Sequence, residues 1–101
     1  MHLVQLFLPL YDNDGAVLPR TLFTDVRREL TDRFGGLTAY TRAPVEGLWE
    51  HEGDTTRDDL VIYEVMTDAL DRAWWRAYRA RLEEAFRQER LVVRAQEMEV
   101  L

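Results

Sequence analysis

One pattern constrains this chain more than any other: strand, helix, strand occurs twice in succession. In the first unit His2–Leu10 reads as a strand, Pro19–Phe34 as an amphipathic helix and Leu37–Arg42 as a strand. In the second, Asp59–Thr67 reads as strand, Asp68–Arg90 as helix and Leu91–Leu101 as strand. Right-handed crossovers through each helix put the first and third strands side by side at the centre of one sheet. Both helices then lie on the same face. The predicted fold is α+β, a ferredoxin-like βαββαβ sandwich with a four-stranded antiparallel sheet, and residues 1–101 are read as a single domain. The second sheet face is left bare and needs a cover.

Local signals agree with this order. Pro19 is favoured at a first helical position, and Leu22, Phe23, Val26, Leu30 and Phe34 recur at helical spacing. Gly35-Gly36 supplies the stop, because glycine accepts the left-handed conformation that ends many helices. Pro44 lacks a ladder donor, which places the second strand at a sheet edge or breaks it there. Gly47–His51 resumes an extended pattern, and Glu52–Thr56 is the turn of a long hairpin. Asp68 is the predicted cap of the second helix, whose core stripe is Leu70, Trp74, Ala77, Tyr78, Leu82, Ala85 and Phe86. Trp75 borders that stripe, and core or interface packing accounts for both tryptophans better than cofactor stacking does. Tyr11–Gly15 is a turn by composition; it is oxygen-rich but lacks the bidentate Glu of a calcium loop.

The totals exclude several classes. With no Cys there is no disulfide, thiolate metal site or Cys nucleophile, and there is no Ser to act as nucleophile either. Two His residues without a paired spacing do not make a zinc or haem site. Gly35-Gly36 follows a helix and lacks phosphate-loop spacing. No cofactor and no metal are expected. A net charge of -6 argues against nucleic acid and anionic membrane surfaces as partners. No apolar run reaches the roughly 20 residues of a membrane span. The first strand, interrupted by Gln5 and Pro9, does not read as a signal peptide, so a cytoplasmic location is expected. Every basic residue is Arg, which we read as the codon bias of a GC-rich genome.

The element order, the length and the long second strand interrupted by Pro44 and Gly47 resemble the dimeric α+β barrel superfamily. That superfamily includes cofactor-free monooxygenases, lactone isomerases and stress-response proteins. Phe34-Gly35-Gly36-Leu37-Thr38, followed by Gly47-Leu48-Trp49, is similar to a narrower family of small uncharacterised bacterial proteins. The resemblance implies a homodimer in which two bare sheet faces close into a barrel around a space for a small molecule. The residues agree: alone, the chain would expose Leu3, Phe7 and parts of the third and fourth strands as one apolar patch.

Three groups of residues could carry function. Alternation puts Gln5, Glu64 and Arg94 on the bare face in one row, where a Glu–Arg pair could bind a polar substrate or move a proton. The competing reading is an ion pair that fixes the dimer register. Trp49 and His51 share a strand face, an aromatic wall beside a base; the competing reading is a solvated His between Glu50 and Glu52, with Trp49 as an interface anchor. Tyr40 and Tyr63 are candidate barrel-lining hydroxyls without a visible partner. The expected ligand-binding set is therefore Gln5, Tyr40, Trp49, Tyr63, Glu64 and Arg94, with His51 and Glu64 as candidate catalytic groups. The leading expectation is a homodimer that binds a small molecule. The alternatives are a cofactor-free monooxygenase or isomerase acting on a small aromatic substrate, and a structural dimer with a filled barrel.

Overall fold

The computed structural model describes residues 1–42 and 60–101. Its elements run β1 (His2–Pro9), α1 (Arg20–Phe34), β2 (Thr38–Arg42), β3 (Leu60–Thr67), α2 (Arg72–Ala85) and β4 (Val92–Glu97). The four strands form one sheet in the order β2-β3-β1-β4, and every neighbouring pair is antiparallel. This is the ferredoxin-like arrangement, with β1 and β3 central and β2 at an edge. The Trp49–His51 segment and the Pro44 break lie outside the described residues.

Alternation along the strands sorts the side chains. Val4, Leu6 and Leu8 of β1 and Tyr63 and Val65 of β3 point to one face and are buried. Phe23, Val26 and Leu30 of α1 and Trp75, Tyr78 and Leu82 of α2 close over that face, with Phe86 and Leu91 filling the end of the layer. A Phe23–Phe86 edge-to-face pair, with centroids 5.2 Å apart, knits α1 to the end of α2. Between the helices, Phe34 stacks on Trp75, and within α2 Trp74 stacks on Tyr78. Glu29 of α1 accepts hydrogen bonds from the Tyr78 hydroxyl and from Arg81 of α2.

Element ends shift from the sequence pattern where a side chain competes for the backbone. Pro19 sits just before α1 in an extended conformation, one position earlier than expected. Gly35 ends α1 as anticipated, with φ 80° and its amide donating to the Thr31 carbonyl at 2.8 Å. Asp71, not Asp68, caps α2, because its Oδ1 accepts the Trp74 amide at 3.0 Å. On this helix Trp75 is 6% exposed and Trp74 half-buried, the reverse of the expected stripe; Ala77 and Ala85 are exposed. The helix stops at Ala85 instead of Arg90. Buried Phe86 anchors the chain, and Arg87 turns it at φ 53°. Gln88 holds the exit, its Nε2 donating to the Tyr11 and Phe86 carbonyls. β4 ends at Glu97, short of the expected Leu101. In the Asp12–Gly15 turn, Asp12 Oδ1 accepts the Asp14 and Ala16 amides, each at 2.9 Å, so this carboxylate serves its own backbone.

Two outcomes follow for stability. Asp71→Ala should cost about 1 kcal/mol in urea unfolding, the usual loss for a capping side chain. Burial, reinforced by the Glu29 charge, pushes the Tyr78 hydroxyl well above its ordinary value of 10.0. The folded chain therefore holds this proton more tightly than the unfolded chain does. Its contribution is complete below that ordinary value and is lost as the pH rises through the folded one. Thermal midpoints should fall above pH 10, and Tyr78→Phe should flatten that fall.

Candidate functional site

The sheet face turned away from the helices carries Leu3, Gln5 and Phe7 of β1, Ile62, Glu64 and Met66 of β3, Thr38 and Tyr40 of β2, and Val92 and Arg94 of β4. No described element covers it. Tyr40, Met66 and Val92 are 50%, 54% and 52% exposed, a degree of exposure that large side chains in a packed layer do not keep. This is one face with an apolar field and a polar row across its middle.

The register builds the row. Gln5 stands opposite Glu64 on one side and Arg94 on the other, and Glu64 stands opposite Thr38. Gln5 Nε2 donates to Glu64 Oε2 at 2.5 Å, and Arg94 Nε donates to Gln5 Oε1 at 2.9 Å. The amide of Gln5 thus offers its donor to the carboxylate and its acceptor to the guanidinium. It keeps the two charges two strands apart, roughly 10 Å from strand to strand. Arg94 also lies over the Phe7 ring, with its guanidinium carbon 4.6 Å from the centroid. At the other end, the Glu64 charge and its hydrogen bond to Tyr40 raise the Tyr40 pKa above its ordinary value.

The structure brings together Gln5, Glu64, Arg94 and Tyr40, four of the six residues expected to bind a ligand. Tyr63 is corrected: it is 3% exposed on the helix side, because it alternates with Glu64 and must face the other way. Burial raises its pKa, partly opposed by Arg27. Trp49 and His51 lie outside the described residues. The sequence pass did not connect Tyr40 with Glu64, nor Phe7 with Arg94. Both are diagonal or near neighbours on one face, and the signal was available once β2 was aligned two residues from Thr38.

No protein-family model matches this sequence, and no curated protein matches it. Among solved structures, the chain is similar to a phage SAM lyase in complex with S-methyl-5'-thioadenosine. The two share 18% sequence identity at a TM-score of 0.58, over 95% of this chain and 80% of the other. At that identity the likeness speaks to the fold alone. It agrees with the ferredoxin-like fold expected from the element order, and the narrower resemblance around Phe34–Thr38 gains nothing from it. Among the described residues, no helix is long and apolar enough to cross a membrane.

Breaking the row should be measurable in a single titration. In Glu64→Gln the charge that holds up the Tyr40 pKa is gone. Its phenol should then titrate closer to the ordinary tyrosine value, followed by NMR of the ring carbons. Gln5→Leu, which leaves Glu64 and Arg94 without their shared partner, should cost about 1–3 kcal/mol.

Proposed function

We propose that this chain is a homodimer that binds a small molecule between two open sheet faces, above the Tyr40–Glu64–Gln5–Arg94 row. The observation that carries this reading is the row itself: fixed donors and acceptors crossing an otherwise apolar, uncovered face. Ligand sites have this composition, an apolar lining with a few placed polar groups. A second copy is the cover with matching chemistry, because each face brings one carboxylate and one guanidinium in self-complementary positions about a two-fold axis. Between two such faces, water is displaced and the hydrogen bonds of the row strengthen.

The ligand that fits has a flat or compact apolar body with separate acceptor and donor groups. The acceptor would meet Arg94, and the donor would meet Glu64. The structural neighbour holds a thioadenosine, which makes S-methyl-5'-thioadenosine the natural first probe. A second reading is turnover of a small substrate without a cofactor, with Glu64 as proton acceptor. It is favoured by one observation, that the Gln5 amide donates a hydrogen bond to this carboxylate and so orients it, with the Tyr40 phenol close enough to feel its charge.

Sedimentation equilibrium at micromolar concentration should give twice the chain mass. Phe7→Asp should return the monomer, since an unpaired charge in an apolar interface costs several kcal/mol. Calorimetry with S-methyl-5'-thioadenosine and related nucleosides then tests the ligand. If the row binds it, Glu64→Gln should abolish heat of binding while the dimer persists. A monomer at that concentration removes the reading, and so does a dimer that Phe7→Asp does not disturb.

A further inference from the structure

A second group of charges lies on the helix side of the sheet. Arg72, Arg76 and Arg79 recur along the flank of α2 that overhangs β4, and all three are exposed. Arg79 is 4.0 Å from Glu83, whose carboxylate also accepts the Leu91 amide at 2.9 Å. Arg72 and Arg76 form no ion pair with any described residue. Their position is unfavourable for the helix taken alone. Arg72 opens α2, the first turn contains no acidic residue, and a cation there opposes the helix dipole. Arg76 follows at i+4 as a like charge. In a chain of net charge -6, Arg72 and Arg76 are two exposed cations on one helix flank with no ion-pair partner among the described residues, although the capping carboxylate of Asp71 precedes them.

Beneath the guanidinium groups runs a groove of about 240 Å³ between α2 and the β4 edge. Val4, Trp75 and Val93 line its apolar floor. Val4 and Trp75 are core residues, 1% and 6% exposed, so this floor is held by the packing of the whole helix layer. Arg94 also borders the groove, but its guanidinium is engaged with Gln5 and Phe7 on the other side of the sheet. The groove and the polar row are thus separate sites, and closing the open faces against each other would leave the groove accessible.

We propose that this groove binds a small organic anion. A carboxylate or phosphate head is held by Arg72 and Arg76, and a short acyl chain or single aromatic ring lies against Trp75 and Val93. The guanidinium fork matches both kinds of head with paired hydrogen bonds. The volume is below the roughly 300–1,000 Å³ of sites for drug-sized molecules, which limits the body to one ring or a short chain. The floor selects for an apolar body, so a bare inorganic anion satisfies only half of the site.

The test is an NMR titration of the full ¹⁵N-labelled chain with phenyl phosphate, benzoate and inorganic phosphate at low salt. The Trp75 indole N–H and the Val93 amide report on the groove. The expected result is saturable shifts at both positions with phenyl phosphate or benzoate, and binding at least about tenfold weaker for inorganic phosphate. The double variant Arg72→Gln, Arg76→Gln should weaken the better probe at least about tenfold, and Arg20→Gln, outside the groove, should not. Both changes are at exposed positions, so the fold should persist; should the double variant fail to fold, Arg76→Gln alone must still weaken the probe. Absence of saturable shifts with both organic probes overturns the proposal. So does equal affinity for inorganic phosphate, or binding that survives the arginine substitutions.

Discussion

The antiparallel pairing of β1 with both β3 and β4 is the interaction on which the other features depend. Gln5 is the centre of that pairing, opposite Glu64 and Arg94 at once. The same register sends Val4, Leu6 and Leu8 toward the helices and Leu3, Gln5 and Phe7 away from them. A slip of one residue in either ladder would exchange the two faces of the slipped strand. Tyr63 and Val65 would then lose the helix layer, and Glu64 would enter it without a partner. Core and polar row are specified together, since each penalises the slipped register that the other would have to accept.

The two faces of the sheet answer to different constraints. On the helix side, aromatic packing among Phe34, Trp74, Trp75 and Tyr78 and the Glu29 link to α2 fix how the helices sit. There, polar groups are confined to the flanks and rims. The open side has large apolar side chains at intermediate or high exposure, interrupted by charges held apart by one amide. A direct Glu64–Arg94 bridge would have spent both charges on each other. With Gln5 between them, each keeps hydrogen-bonding capacity for something outside the sheet, and that is the physical basis for treating the face as a binding surface.

Much of this was legible in the chain. Period-two alternation in Leu3–Leu8, Val61–Met66 and Leu91–Gln96 was enough to assign Gln5, Glu64 and Arg94 to one face, because the side-chain period of a strand leaves only two choices. The Gly35 stop was legible for a similar reason: one backbone conformation, one favoured residue. The errors sit where two neighbouring residues could do the same job. Asp68 and Asp71 can both cap a helix, and Trp74 and Trp75 can both join its core stripe; in each pair the structure uses the second. No glycine marks the end of α2, so the stop at Ala85, made by buried Phe86 and the Gln88 side chain, left no local signal. Tyr63 was misplaced by asking for a hydroxyl without applying the alternation that had placed Glu64. The partner of Tyr40 depended on the β2–β3 register, which no single strand encodes.

The most direct measurement of the central claim is solvent exchange of the Gln5 side-chain amide protons, followed by NMR at micromolar concentration. If two open faces enclose the row, these protons should exchange far more slowly than a free glutamine amide, and dilution should speed them up as the dimer separates. Exchange at the free-amide rate at every concentration would contradict the account, because the hydrogen bond to Glu64 would then lie in open water.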